Sequence, residues 1–228
     1  MQRHRLFAAL VAASLLPALS AGTVHAAAPA HDMSGMEGMD DVASSDASPS
    51  TLAYQQAMVR MHQNMKQSLS GNPDVDYVRQ MIPHHQAAVE MAEIQLAYGK
   101  DEGLKDFSRW IITAQKQEIG YMTNWLRGHD QGATRPCARD YYGTAMEKMH
   151  HGMMIAYTGD ADVDFVRGMI AHHQGAVDMS AILFPVSINP EIRTLAEGVY
   201  RSQNYEIAWQ RHWLRHPNAS HSFPSFIL

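Results

Sequence analysis

The sequence predicts an all-α chain of six main helices, arranged as two tandem sets of three. Three observations carry this. From residue 57 onward the chain repeats itself at an offset of 88, so that Ala57 to Arg127 aligns with Ala145 to Arg215 without a gap, a match too long for chance. Within each copy apolar residues recur at helical spacing. No stretch alternates apolar and polar residues as a half-buried strand would.

The elements follow in order. Arg3 and Arg5 precede an apolar run from Leu6 to Leu19, and Val24-His25-Ala26 fits cleavage after Ala26. Residues 1–26 therefore read as a Sec-type signal peptide, too short in its apolar part to span a membrane. This predicts an exported protein, periplasmic or secreted. Residues 27–50 are rich in Gly, Ser and Asp, with few aliphatic or aromatic side chains, and are expected to be a disordered linker. Within it His31, Met33, Met36 and Met39 are spaced like a flexible metal-catching arm.

Repeat 1 covers residues 51–128. Its first helix is predicted from about Ser50 to Ser70 and stops at Gly71-Asn72-Pro73, with Asp74 as the candidate N-cap of the second. That second helix runs to about Tyr98 and closes at Gly99. The third spans about Asp101 to Gly128, with Phe107, Ile111, Ala114, Ile119, Met122 and Leu126 near helical spacing. A linker at 129–140 leads to repeat 2, residues 141–216, which stops at Gly159-Asp160 and breaks between Pro185 and Pro190. Residues 217–228 form a C-terminal tail.

Removing the signal lowers Lys+Arg from 18 to 16 against 23 acidic residues, a formal charge of −7. No basic stripe remains, which argues against nucleic acid as a partner. Cys137 is the one cysteine, whereas there are 16 Met and 14 His. In an oxidising compartment a thioether binds a soft metal without forming disulfides or needing deprotonation.

"MIPHHQAAVEMA", from Met81 to Ala92, returns as "MIAHHQGAVDMS", from Met169 to Ser180. On a helix Met81, His84, His85, Ala88 and Met91 fall on one face about 120° wide. Met58, Met61, His62 and Met65 share a face of helix one in the same way. A Met stripe alone usually means core. Buried imidazoles need partners, however, and Glu118 and Glu206 are the few carboxylates on hand. A cation would satisfy the imidazoles and explain the thioethers together. Thioethers suit Cu(I) and Ag(I) and are poor ligands for Zn²⁺, while imidazole takes either copper state. The predicted ligands are Met61, His62, Met65, Met81, His84, His85 and Met91, with Met149, His150, Met153, Met169, His172, His173 and Met179 as their counterparts. Met58, Met146 and Met122 are secondary candidates, and copy two adds His151 and Met154. A short hairpin between helices one and two favours one site within each copy. His212 and His216 in the tail form a further pair, four residues apart.

The stretch "GNPDVDYVRQMIPHHQAAVEMA", the later "AQKQEI" and "NWL", and their second-copy partners resemble the family called domain of unknown function 305. The resemblance covers essentially the whole chain after residue 50. It implies a ferritin-like helical bundle. Exported members with Met-His-x-x-Met on the preceding helix are similar to periplasmic copper-binding and copper-resistance proteins. Met61-His62-x-x-Met65 and Met149-His150-x-x-Met153 match that motif. The expectation is a copper-binding protein that sequesters or transfers Cu(I), with Cu(II) as the lesser alternative, in copper tolerance or homeostasis. Its partners would be copper ions and other envelope copper-handling proteins. It is expected not to be an enzyme. Two other readings are a cuprous oxidase using Glu118 and Glu206, and a metal-free bundle that binds another envelope protein.

Overall fold

The computed structural model describes residues 47–130, 139–217, 219 and 221–224. The described residues form six helices: α1 Pro49–Asn64, α2 Pro73–Tyr98, α3 Glu102–His129, α4 Gly143–Met153, α5 Ala161–Leu183 and α6 Pro190–Arg215. No strand occurs among the described residues. The protein is thus all-α, a bundle of two tandem three-helix repeats, as the sequence leads one to expect. The expected signal peptide, the expected Met/His arm around residues 31–39, Cys137 and most of the expected linker at 129–140 lie outside the described residues.

Local chemistry sets the helix ends. Ser48 caps α1 through a bond from the Thr51 amide, with Pro49 at the first helical position, so α1 takes in the last two residues of the expected linker. The N-cap of α2 is Asn72, not Asp74: its side chain accepts from the amides of Asp74 and Val75 at 3.0 and 3.3 Å. Asp160 and Asn189 do the same for α5 and α6. Helix one is shorter than predicted, ending at Asn64 and not near Ser70. The Asp76 carboxylate accounts for this. It accepts from the Ser70 amide and hydroxyl at 2.7 Å each and from the Gly71 amide at 2.9 Å, holding the preceding chain out of the helix. Gly71 sits there at φ 80°, a conformation that costs glycine little. Asp164 repeats the device on Thr158 and on Gly159, which has φ 82°.

Helices α2 and α5 form the centre, with α1 and α3 packed on α2 and with α4 and α6 packed on α5. The two central helices run antiparallel. Tyr77, early in α2, meets Ser180, late in α5, at 2.8 Å. Met91, late in α2, lies 3.1 Å from where a Cβ of Gly168 would stand early in α5. Contacts across the repeats come in reciprocal pairs related by the offset of 88. Asp74 accepts from the Ser187 hydroxyl and the amides of Ile188 and Asn189, at 2.6, 3.0 and 3.2 Å. Its counterpart Asp162 accepts from the amides of Lys100 and Asp101 at 3.0 to 3.3 Å. The Tyr54 hydroxyl donates to the Ala161 carbonyl and the Tyr142 hydroxyl to that of Pro73. Each repeat therefore satisfies main-chain groups at the helix junctions of the other.

One pair breaks the symmetry in a consistent way. Where Tyr77 bonds Ser180, the matching positions of the other half hold Phe165 and Ala92. Both hydroxyls are present, or both are missing. Leaving one buried hydroxyl unpaired costs far more than removing both partners. Ser180→Ala alone should therefore destabilise the protein by about 1–3 kcal/mol, since Tyr77 is fully buried. Adding Tyr77→Phe should recover most of that loss. Denaturant midpoints of the two variants check this, and a double variant no more stable than Ser180→Ala would overturn it.

Candidate metal centre

The predicted ligands separate into three sets once the helices are in place. The first is at the crossing of α2 and α5. His84 and His172 are fully buried, with ring centroids 3.7 Å apart. The Nε2–H of each donates to the carbonyl of the other at 3.0 Å. Burial pushes both imidazoles well below their ordinary pKa, and neighbouring imidazoles add to this. Each is therefore a neutral ring, with Nδ1 buried and unpartnered.

The second set faces α3 and α6. His85 and His173 are also fully buried. The Nε2–H of His85 donates to Glu118 and that of His173 to Glu206, both at 2.7 Å. Adjacent histidines on a helix point about 100° apart, so His84 reaches the other repeat while His85 reaches helix three of its own. Glu118 and Glu206 line a cavity of about 250 Å³ between α3 and α6, along with Gln115 and Gln203. The four histidines of the repeated motif thus have protein partners for Nε2. A larger cavity of about 620 Å³ also opens between α3 and α6 and carries none of the predicted ligands.

The third set lies between α1 and α4. A cavity of about 320 Å³ is lined by Met61, His62 and Met65 from copy one and by Met146, Met149, His150 and His151 from copy two. The rings of His62 and His150 stand 4.3 Å apart. Met61, Met65 and Met149 are buried, whereas His62 is exposed and His150 half-buried. Nδ1 of His150 is buried and has no protein partner, and the ring lines the same cavity as three buried thioethers. Burial and then the adjoining His150 ring lower the His62 pKa, which keeps a neutral imidazole available near neutral pH. Gly175 makes this face possible in copy two, since a Cβ there would run into the Met149 thioether. Met61, His62 and Met65 line one cavity with their counterparts from the other repeat, and His85 turns to Glu118, whereas the expected hairpin would bring them towards Met81 and His85 of their own copy.

Of the remaining described methionines, Met154 is exposed, Met58 is half-buried and the others pack in the core. Met81 and Met179 pack with Tyr77, Tyr142 and Leu183, while Met169 packs in the cluster around Phe107 and Phe165. Met58, Met91 and Met153 line a small void with Ala57 and Ala87. Met122 is fully buried. Gln80, Lys66 and Asp140 also line the α1–α4 cavity, and no motif in the sequence marks them. As the side chains stand, no three His, Cys, Asp or Glu residues among those described gather closely enough to hold a metal ion. The donor set between α1 and α4 is instead imidazole and thioether, which suits a soft cation.

The family described as "Domain of unknown function (DUF305)" matches residues 74–160 and 162–225. The two segments begin at Asp74 and Asp162, equivalent positions of the two repeats. Among solved structures, "CopM in the Cu(I)-bound form" is 30% identical over 64% of this chain and 98% of its own, with a TM-score of 0.51. "CopM in the Ag-bound form (by co-crystallization)" and "CopM in the apo form" are each 31% identical over the same shares, with TM-scores of 0.50. No curated protein matches the chain.

The central pair sets a pH limit on the metal-free fold. Unfolded histidine titrates near 6.5, while His84 and His172 stay neutral well below that when folded. Their contribution is fully present above about pH 6.5. It is lost as pH falls further, because only the unfolded chain takes up those protons. Stability should fall between pH 6.5 and 5 with up to two protons' worth of slope, each a little over ~1 kcal/mol per pH unit. His172→Gln should remove about one proton's worth, measured by denaturation across pH; an unchanged slope would contradict the assignment.

Proposed function

The chain belongs to the DUF305 family, and on that footing we propose that it is a copper-binding protein that sequesters Cu(I), or hands it on, in the bacterial envelope. The observation that carries this is the α1–α4 cavity, where both copies bring thioether and imidazole to one place. A relative 30% identical to it is known in a Cu(I)-bound form, and another form of that relative holds silver, the usual stand-in for Cu(I). The core ligands in this reading are Met61, His62, Met65, Met149 and His150, with Met146 and His151 beside them. His84, His85, His172 and His173 position the helices that carry these side chains. Met81, Met91, Met153, Met169 and Met179 pack behind them.

Export fits the same role. The reading of residues 1–26 as a signal peptide supports export to the periplasm or beyond, and no helix among the described residues is long and apolar enough to cross a membrane. A carrier needs donors that release as well as bind. A half-open cavity with an exposed His62 at its edge serves that better than a closed core site. Cu(II) would rely on the imidazoles alone, since thioethers favour the reduced ion.

The oxidase reading keeps one observation in its favour, the Glu118 and Glu206 carboxylates around a shared cavity. Catalytic Cu(I) oxidation by the purified protein, lost in Glu118→Gln or Glu206→Gln, would establish it over the carrier.

Sharing of the cavity gives the sharper test. His62→Ala or His150→Ala should each weaken Cu(I) binding by about tenfold or more, a loss that even an outer-shell partner can cause. The double variant should lose less than the product of the two, because both act on one site. Zn²⁺ should compete poorly throughout. Competition against a Cu(I) chelator reads all three variants; unchanged affinity in the double variant would sink the proposal.

A further inference from the structure

The end of α6 carries a histidine cluster that the copper cavity does not use. His212 lies in the last turn of α6 and His216 is its C-cap, and their ring centroids stand 4.8 Å apart. Beyond Pro217 the chain turns back, and the His221 ring stands 5.4 Å from that of His212. Its Nε2–H donates to the His216 carbonyl at 2.6 Å. His212 and His216 are exposed and His221 is half-buried.

Two packing contacts fix this return of the chain. Phe223 is 6% exposed and lies against Phe107 and Trp209, with centroids 4.7 and 5.2 Å away. Gly103, in the first turn of α3, leaves space for the tail, since a Cβ there would run into the His221 carbonyl. Copy one has none of these features: Asn124 and Gly128 stand where copy two has His212 and His216, and the counterpart of Gly103 is Glu191. The cluster is therefore no relic of the duplication. Solvated surface histidines are the plain alternative, but they would need neither a buried phenylalanine nor a glycine to hold a third ring in place.

We propose that His212, His216 and His221 form a site for a borderline divalent cation of the Zn²⁺ or Cu(II) class, separate from the soft-metal cavity between α1 and α4. With their rings 4.8 Å apart, His212 and the cap residue His216 stand as close as the i, i+4 imidazole pair that recurs as a ligand set for such ions. A third supplies three nitrogens and leaves a fourth position to water. The cluster contains no thioether, so it selects against a purely soft ion. The three nitrogens do not yet converge on one point. His221 has its Nε2 on the His216 carbonyl, which leaves Nδ1 as its donor. The two exposed rings are free to rotate toward it, so closure takes side-chain torsions and no movement of the helix.

Zn²⁺ titration of the mature chain by calorimetry tests this. The parent should bind one equivalent that His212→Ala with His216→Ala abolishes and His62→Ala with His150→Ala leaves in place. His221→Ala should weaken it by about tenfold. Phe223→Ala should weaken it too, with no ligand altered, because the tail then loses its anchor; helicity by circular dichroism checks that this variant folds. Undiminished Zn²⁺ uptake by the His212/His216 variant would overturn the site, and unchanged affinity in His221→Ala would overturn the three-ligand form proposed here. Neither result bears on the Cu(I) cavity, whose own variants are separate.

Discussion

Two neutral imidazoles exchanging bonds with each other's main chain hold this bundle in register. At the crossing of α2 and α5, His84 and His172 each use Nε2–H on the opposite carbonyl. A slip of one helical turn would bury both donors without acceptors, at a cost of about 1–3 kcal/mol each. The other contacts between repeats depend on that register. Tyr77 finds Ser180, Met91 finds the space at Gly168, and Asp74 and Asp162 reach the junctions ahead of α6 and α3. The same bonds require neutrality, because a second proton on Nδ1 would have no partner in the core.

The chemical meaning of each histidine comes from what meets it, more than from the motif it belongs to. The central pair meets main chain and is committed to structure. The next pair meets Glu118 and Glu206, which fixes both the ring tautomer and the carboxylate. Among the described residues, imidazoles meet thioethers beside an open volume on α1 and α4, with one buried nitrogen unpartnered. The surroundings of a Met/His face thus depend on which helix it turns toward.

Much of this was legible in the sequence because the duplication is written there. The offset of 88 gave three helices per copy, and the stops at Gly71 and Gly159 marked the turns before α2 and α5. The end of α1 was misplaced because the group that ends it, the Asp76 carboxylate, lies on the next helix. The pairing of the copies was hidden for a similar reason. Helical spacing shows which residues share a face but not which helix that face will meet, and a short connection made the hairpin look sufficient. The paired absence at Phe165 and Ala92 held the needed hint, since Tyr77 and Ser180 are matched hydroxyls on helices of different repeats. The return of the tail had no periodic signal at all. It rests on one phenylalanine and one glycine far apart in the chain.

The reciprocal bonds of Asp74 and Asp162 bear on what a single repeat could do alone. In each case a carboxylate of one repeat serves amides in the other, and the same surface is used from both sides. That is the form of an isologous contact between identical subunits. A lone repeat would carry a buried aspartate and a junction with unpaired amides, and would meet both needs by associating with a second copy of itself. The present chain carries that two-sided contact within one polypeptide. Its halves can therefore differ: one side has a tyrosine and a serine where the other has neither, and one end alone has the histidine cluster. A symmetric dimer has to repeat every change twice; this chain does not.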